Sequence, residues 1–239
     1  HAVVLIDFSY WTSPIGVVMA LLLAAGTYAA LVVLLRRVGA GRQVKGTIVS
    51  LQYYPGVHAL EADIDVPHGW PGHKPGQFAF KTSDRSEGAH PYTIASAWND
   101  SERRLAFVAK ELGDHTGHLR ETLHVGQDVK IEGPYGCFDF DNGQRRQIWV
   151  GGGIAITPFI TGMKHIAQKR HVEPDLPSPE IDLFHTTADY DEAAIAKLTA
   201  DAAAADIRFR VLVDARHGGR PGDGIRAEEP DGRPASIWF

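Results

Sequence analysis

The sequence predicts one transmembrane helix, then a small antiparallel β-barrel, then an α/β domain built on a parallel sheet. Three observations predict this order. An uncharged apolar run ends at residue 35, short strands of alternating polar and apolar residues fill 43–145, and strands alternate with helices after residue 146. We therefore expect domain boundaries at 1–40, 41–146 and 147–239.

The composition narrows the class of protein. The 239 residues carry a formal net charge of −5, which excludes the strongly basic surface of a typical nucleic-acid-binding protein. Cys137 is the single cysteine, so the chain has no internal disulfide and no cysteine-only metal site. A small buried side chain is the more common role for such a cysteine. No two of the histidines stand four residues apart, and we predict no metal site.

The apolar run near the start predicts a membrane span. No charged residue occurs between Phe8 and Leu35, and 15–35 is long enough to cross the roughly 30 Å hydrocarbon layer as a helix. Aromatic residues precede it and basic residues follow it: Tyr10, Trp11, Arg36, Arg37, Arg42 and Lys45. This asymmetry predicts an integral protein of an inner or plasma membrane, with the later domains in the cytoplasm. The alternative is a buried helix of a soluble domain.

The segment from residue 43 to residue 145 has the pattern of a small barrel. Apolar residues at 60, 62, 64 and 66 alternate with acidic residues, which is the period of a half-buried strand. Further strands are expected at 44–53, 77–81, 92–96, 105–110 and 129–132, and 57–66 should pair with 44–53 across a turn. One helix interrupts them, with Asp114 as a possible cap and Leu119 and Leu123 on one face.

After residue 146 the pattern predicts an α/β domain. Strands are expected at 147–150, 181–185, 207–213 and 236–239, and helices at 157–169 and 192–204. Alternation of this kind predicts a parallel sheet with helices on both faces. Such a sheet binds ligands at the carboxyl ends of its strands.

A glycine-rich stretch follows the first of these strands. The residues Gly151, Gly152 and Gly153 lie between an apolar strand and a helix, which is the geometry that holds a diphosphate. The glycines let backbone N–H groups approach the phosphate, and the helix N-terminus adds a partial positive charge. Ile156 stands where a dinucleotide-binding fingerprint has its third glycine, so an ordinary tight turn is the alternative.

Four short stretches in order resemble one family. They are His-Pro-Tyr-Thr at 90–93, the run at 110–116, Gly-Pro-Tyr-Gly at 133–136, and the glycine stretch that continues to Thr157 and Pro158. The sequence resembles the ferredoxin–NADP reductase superfamily, and within it the C-terminal part of membrane ferric reductases and NADPH oxidases. The resemblance implies a ferredoxin reductase-like fold that binds FAD in the barrel and NADPH or NADH in the α/β domain.

The resemblance also implies which residues contact the flavin. Tyr92 would pack on the ring and Thr93 would reach its N5, so both would act in catalysis, while His90 would lie near the diphosphate. The remaining flavin contacts and passage-shaping residues implied are Pro91, Lys110, Gly113, Thr116, Gly133 and Gly136. Without the resemblance, Tyr92 and Thr93 are ordinary strand residues, Lys110 is a solvated strand-end lysine, and Gly133–Gly136 is a plain turn.

The implied nucleotide contacts follow the glycine stretch. They are Gly151, Gly152, Gly153, Ile154, Thr157 and Pro158, with Thr157 expected to cap the helix and to meet the phosphate. Ala155 departs from the family, which often has glycine there. The choice between NADPH and NADH stays open, because the second strand ends in neither a carboxylate nor an arginine, and Arg216 and Arg220 of the next loop are only possible phosphate partners.

The implied activity is electron transfer from NAD(P)H through FAD across the membrane to ferric iron or dioxygen. The family carries haem on helices before the last span and continues with Cys-Gly-Pro after Trp-Phe, so we expect the protein to extend beyond both ends of this chain. Haem would then belong to the preceding helices. Two alternatives stay open: a single-span flavin reductase that donates electrons to a cytoplasmic partner, and a non-catalytic nucleotide-binding membrane module.

Overall fold

A computed structural model describes residues 13–34, 39–82, 88–111, 117–140, 144–174, 178–213 and 235–239. The chain divides into two compact units that meet in sequence between Gly41 and Arg42. The predicted boundary at residue 40 lies one residue before this division and stays a prediction. The predicted boundary at residue 146 stays a prediction, because the barrel and the α/β domain belong to one compact unit.

The first unit contains helix α1, Pro14–Leu34. Its segment Pro14–Val33 is long and apolar enough to cross a membrane by length and composition. Large apolar side chains around the helix are exposed, such as Leu21 at 65%, Leu22 at 62% and Val33 at 64%. A helix that is apolar on every side is typical of a lipid-facing span rather than of the amphipathic helix of a soluble domain.

The second unit begins with a six-stranded antiparallel barrel. Its strands are β1 (Gln43–Tyr54), β2 (Ala59–Asp65), β3 (Phe78–Thr82), β4 (His90–Thr93), β5 (Arg104–Lys110) and β6 (Asp128–Tyr135), and the short helix α2 (Leu119–Thr122) precedes β6. The sheet order is β4-β3-β6-β1-β2-β5, and an antiparallel bridge between Ile94 and Phe107 joins its two edges. The predicted barrel is therefore confirmed. Leu119 and Leu123 are buried as expected, whereas Asp114 lies outside the described residues.

Strand β2 differs from its expected half-buried form. Leu60, Ala62 and Ile64 point into the barrel core, but Glu61 on the opposite face is also buried, at 6% exposure. The reason is that the α/β domain covers this outer face, where Glu61 pairs with Lys197. The alternation identified the strand correctly, but its polar face is an interface rather than a solvent surface.

The α/β domain has a four-stranded parallel sheet in the order β10-β7-β8-β9. Its elements are β7 (Arg146–Gly152), α3 (Thr157–Val172), β8 (Glu180–Thr187), α4 (Glu192–Ala205), β9 (Arg208–Val213) and β10 (Ser236–Trp238). The steps from β7 to β8 and from β8 to β9 run in one direction, so right-handed crossovers put α3 and α4 on one face, where they contact each other. Helices on both faces are thus not observed within the described part of the chain.

Aromatic residues join the barrel to the parallel sheet. The chain leaving β6 places Phe138 and Phe140 against Phe159 of α3, and the Phe140 ring lies 4.8 Å from that of Trp149 in β7. Because Phe138 takes the inward position, its neighbour Cys137 points outward and is exposed, contrary to the expected buried role. The two sheets are therefore packed through side chains as well as joined by the chain.

Candidate functional site

The residues of β4 divide between two faces of the barrel wall. Thr93 is half-buried on the outer face, and its hydroxyl has no hydrogen-bond partner among the described residues. Its cross-strand neighbour is Phe78, and the rings of Phe78, Phe80 and Tyr135 cluster on the same side at centroid distances of 5.7–5.9 Å. This face offers an apolar aromatic surface beside one free hydroxyl, which suits a flat ring with a polar edge.

Tyr92 points the other way. It is buried at 8% exposure and packs edge-on against Phe107 at 6.3 Å in the barrel core. The ammonium of Lys81 lies 5.2 Å from the centre of the Tyr92 ring. The Tyr92 ring is therefore not exposed on the outer face, and its contact with the flavin stays a prediction. Pro91 is exposed, and His90, at the start of the strand, is half-buried.

The second predicted flavin stretch begins with an interdomain ion pair. Lys110 at the end of β5 donates to the carboxylate of Asp189, in the loop after β8, at 2.7 Å. This hydrogen bond from Lys110 is the main reason that the pKa of Asp189 is lowered. Lys110 is thus not the solvated strand-end lysine of the alternative interpretation, and its role as a flavin contact stays a prediction. Gly113 and Thr116 lie outside the described residues.

The stretch at 133–136 lies where β6 meets β3. The side-chain amide of Gln77 donates to the carbonyl of Gly136 at 3.0 Å, and a side chain at Gly133 would contact Ala79. Tyr135, between the two glycines, belongs to the aromatic cluster beside Thr93. These glycines therefore shape one edge of the surface that carries Thr93, and a role in the passage between flavin and nicotinamide stays a prediction.

The glycine turn after β7 leaves room beside its backbone. A Cβ atom on Gly151 would lie 2.9 Å from the Cα of Ile156, so the turn closes tightly at this residue. Gly153 has a φ of +51° and open space where a Cβ would stand. Gly152 has ordinary extended geometry, and Ile154 lies in the 3₁₀ turn that leads into α3. The turn thus combines a tight closure with an open approach to the backbone, as a phosphate site requires.

Thr157 does not cap the helix as expected. Its hydroxyl donates to the carbonyl of Ile154 at 2.7 Å, and no side chain caps the N-terminus of α3. The physical reason is that the 3₁₀ turn Gly153–Ile156 runs directly into the helix, so Thr157 already has helical geometry and Pro158 occupies the first turn. The first N–H groups of the helix therefore lack a side-chain acceptor, which favours an anion at this end.

His185 is a residue of this site that sequence reasoning missed. It lies opposite Gly151 in the parallel pairing of β8 with β7, and its Nδ1 lies 2.9 Å from the Gly151 carbonyl oxygen. Because a carbonyl only accepts, Nδ1 carries the proton. Burial lowers the pKa of His185, the hydrogen bond to Gly151 opposes this, and Lys110 lowers it further. A neutral His185 therefore holds the start of the turn at neutral pH.

Helix α3 brings the two predicted sites together. The hydroxyl of Thr161 donates to the carbonyl of Ile94, the residue after Thr93, and Lys164 donates to the carbonyl of Ala95 at 3.1 Å. Since α3 starts at the glycine turn, its second turn anchors that turn to the end of β4. A mainly apolar cleft lies between the barrel and the α/β domain, lined by Lys110, Gly153, Ile154, His185 and Thr187 among others.

Comparisons with known proteins agree with this arrangement. Ferric reduction oxidase 5 of Arabidopsis thaliana is 36% identical over 94 residues, which cover 37% of this chain and 13% of that protein. The reductase component of propane 2-monooxygenase from Gordonia sp. is 30% identical over 117 residues, which cover 48% of this chain and 33% of that protein. No protein-family model matches the chain.

The fold comparison covers more of the chain. The ferredoxin–NADP⁺ reductase of Plasmodium falciparum superposes with a TM-score of 0.63 at 15% identity, over 82% of this chain and 84% of that one. The chain spans a third or less of the length of the two curated relatives. Fold and sequence together confirm the resemblance: this chain is similar in fold to a ferredoxin–NADP⁺ reductase and in sequence to a ferric reduction oxidase.

Proposed function

We propose that this region is an NAD(P)H-dependent FAD oxidoreductase that supplies electrons to an acceptor beyond the described chain. The observation that carries the proposal is the anchoring of α3 to β4. Thr161 and Lys164 bind the backbone just after Thr93, so the helix that begins at the glycine turn is fixed against the strand of the predicted flavin site. Hydride transfer needs the two cofactors in contact, and this packing joins their predicted sites.

The residues present fit both cofactors. Thr93 offers a hydroxyl that no described residue binds, beside an aromatic surface, which suits the polar edge and apolar face of a flavin. The turn at Gly153 offers open backbone at a helix N-terminus, which suits the diphosphate of NAD(P)H. FAD held here would supply two-electron chemistry with NAD(P)H and one-electron chemistry with the acceptor. The role of the chain in this proposal is to position the two cofactors against each other.

The finer proposal is a membrane ferric reductase or NADPH oxidase type of enzyme. Its support is the likeness to a plant ferric reduction oxidase together with α1, whose length and exposed apolar surface suit a membrane span. In this proposal electrons cross the membrane through haem on helices outside this chain and reach ferric iron or dioxygen. Cytoplasmic placement of the FAD and NAD(P)H domains follows from the basic residues after the span.

A second candidate is a reductase that donates electrons to a protein partner. The likeness to the reductase component of a propane monooxygenase favours it. Haem absorbance in the natural full-length protein would support the transmembrane route, and its absence from that protein would favour the partner-donating reductase.

The test of the shared proposal uses the chain in detergent, incubated with FAD and freed of unbound flavin. We expect a yellow protein whose flavin absorbance near 450 nm disappears on anaerobic addition of NADPH or NADH. A protein that binds nucleotide but retains no flavin would instead support a non-catalytic nucleotide-binding module. Comparison of the two nucleotides in the same assay decides between NADPH and NADH.

A further inference from the structure

Lys81 is a buried lysine in the barrel wall. It lies in β3 with 4% of its surface exposed, and its face is shared with Ala79 and Tyr92. No hydrogen bond or ion pair joins its ammonium to any described residue, and its one recorded partner is the ring of Tyr92 at 5.2 Å. The nitrogen itself is not among the fully buried side-chain atoms without a partner, so the long side chain carries its charge to the edge of the barrel wall, where an anion could reach it.

The position of Lys81 places this cation next to the predicted flavin motif. Its direct cross-strand neighbour in the antiparallel pairing of β3 with β4 is His90, the first residue of that motif. Cross-strand neighbours have Cβ atoms about 4.5–5.5 Å apart, so the two basic side chains lie together on one face. Along β4, His90 is three residues from Thr93, about 10 Å at the usual rise of a strand, and the two side chains point to opposite faces. A flavin with its ring beside Thr93 would therefore bring its diphosphate around the end of the strand to Lys81 and His90.

Burial is the only cause that shifts the titration of Lys81. It lowers the pKa of the ammonium to about 8, and no carboxylate among the described residues raises it. Glu132 on the neighbouring strand β6 does not neutralise the Lys81 ammonium. It lies opposite Phe80, whose side chain points to the other face, and its carboxylate accepts hydrogen bonds from Gln43 and Tyr135. The fold thus holds a cation that none of its described carboxylates neutralises.

We propose that Lys81 is a cofactor-binding residue whose ammonium pairs with the diphosphate of the flavin beside His90. This inference rests on the proposed function, because FAD is the anion that the motif on β4 would hold. A diphosphate supplies the missing negative charge, and a hydrogen bond between an ammonium and a phosphate oxygen is roughly twice as strong as one between neutral groups. In the flavin-free protein, the cation–π contact with Tyr92 holds the ammonium in place.

The test compares FAD with riboflavin, which has the same ring and no phosphate. Dissociation constants are measured by flavin fluorescence with the full chain in detergent, for the wild type and for Lys81→Met, which keeps the length of the side chain and removes its charge. We expect the variant to bind FAD about 10- to 100-fold more weakly, the range for loss of a hydrogen bond to a charged group. Its riboflavin affinity should equal that of the wild type.

Two further variants make the result specific. Lys81→Arg keeps the charge and should hold FAD within a few-fold of the wild type. Lys130→Met removes an exposed positive charge from the neighbouring strand β6 and should leave both affinities unchanged. The flavin-free Lys81→Met protein should melt no lower than the wild type, because no described carboxylate pairs with the charge that it loses, whereas a merely structural lysine would lower the melting temperature.

The outcomes separate this inference from the proposed function. A wild type that binds neither FAD nor riboflavin would overturn both. Normal FAD binding by the wild type with equal FAD affinity in Lys81→Met would overturn the role of Lys81 alone. Equal weakening of FAD and riboflavin would also overturn it, because the effect would then lie at the ring. A change in NAD(P)H affinity without a change for FAD would assign the lysine to the nucleotide diphosphate instead.

Discussion

At the scale of single residues, strand alternation decides what the motif at 90–93 can do. Tyr92 and Thr93 are neighbours in sequence, yet one packs beside Phe107 in the barrel core and the other lies on the outer face near Phe78. The outer face leads directly to α3, since Ile94 and Ala95 accept hydrogen bonds from that helix. Thr93 is therefore the residue of the motif best placed to act where the two cofactors meet.

We predict that Thr93→Val slows flavin reduction by NAD(P)H about 3- to 10-fold while FAD stays bound. Valine keeps the shape of threonine and removes the hydroxyl, so the loss is that of one hydrogen bond. Stopped-flow absorbance at saturating nucleotide measures the rate. Thr82→Val, a matched change at the end of β3, should leave the rate unchanged. Unaltered reduction in Thr93→Val would show that the hydroxyl has no part in the reaction.

Gly153 combines two properties that can be tested separately. Its φ of +51° strains any other residue, while the space beside it is open. Gly153→Ala should lose about 1–2 kcal/mol of unfolding free energy from the left-handed conformation. It should also weaken NAD(P)H binding, because the new methyl group occupies the space through which a phosphate reaches the backbone.

Gly126→Ala is the control for strain, since Gly126 has a φ of +88° and equally open surroundings in the turn before β6. Denaturant unfolding should give similar losses for the two variants, and nucleotide titration should show weaker binding for Gly153→Ala alone. Equal nucleotide affinity in both variants would place the phosphate elsewhere.

At the scale of elements, β8 and β9 are joined by a charge cluster inside the parallel sheet. Asp182 is fully buried in β8 and accepts hydrogen bonds from Arg208 Nε at 2.6 Å and from Arg210 at 2.7 Å. Burial opposes ionisation of Asp182, but the bonds from the two arginines outweigh it and lower its pKa to about 2. The cluster therefore fixes the register of β9 against β8.

This cluster predicts how stability depends on pH. The pKa of Asp182 is below the value of about 3.9 of an unfolded chain, so its contribution is complete above that value and is lost as the pH falls towards 2. Asp182→Asn should lower the unfolding free energy by about 2–3 kcal/mol at pH 7, less than for a fully buried pair because Arg208 is half exposed. The difference from the wild type should shrink as the pH falls below 4.

The matched control is Asp65→Asn, which breaks an exposed pair between β2 and β5 with Arg104. Urea unfolding of this variant at pH 7 should show a loss below about 1 kcal/mol. A loss in Asp182→Asn that stays constant from pH 7 to pH 3 would contradict the assigned cause, since it would not depend on ionisation.

The elements were predictable because each depends on a local pattern. The alternation in β2, the apolar run of α1 and the glycines after β7 are visible in the sequence, and all three lie where expected. The capping of α3 was wrong because a 3₁₀ turn shifts the helix start past Thr157. The partners of Lys110, Glu61 and His185 could not be predicted, because each depends on how the barrel or a neighbouring strand is placed. For His185, its place near the end of a predicted strand was the one local signal in the sequence that could have suggested a role at the glycine turn.

At the scale of the whole second unit, polar contacts hold the barrel against the α/β domain. The turn after β1 binds the loop before α4 through the Gly56 N–H and Asp191, at 2.8 Å. The buried Glu61 in β2 accepts hydrogen bonds from Tyr54, at 3.0 Å, and from Lys197 of α4. Burial and the nearby Glu61 raise the pKa of Tyr54 to about 12, so it stays protonated and donates. These contacts set the distance between the two predicted cofactor sites.

We predict that Lys197→Met loosens this interface and slows hydride transfer without releasing FAD. The change leaves the Glu61 carboxylate buried with Tyr54 as its remaining partner, which should cost about 1–3 kcal/mol, between the values for exposed and fully buried pairs. Hydride transfer requires reacting atoms roughly 3–3.5 Å apart, so a small shift between the domains lowers its rate steeply. The predicted flavin residues on β4 lie in the barrel alone, so FAD affinity should not change.

Three variants test whether the effect comes from the pair. Glu61→Gln combined with Lys197→Met removes both charges and should recover much of the stability lost in Lys197→Met, because no unpaired carboxylate is left. Arg170→Met breaks an exposed ion pair with Asp206 inside the α/β domain and should change neither stability nor rate. Stability is followed by urea unfolding, and hydride transfer by anaerobic stopped-flow of the FAD-loaded protein. A Lys197→Met protein that is less stable but reduces its flavin at the normal rate would show that the spacing of the two sites does not depend on this interface, and that the contacts of α3 with Ile94 and Ala95 fix it alone.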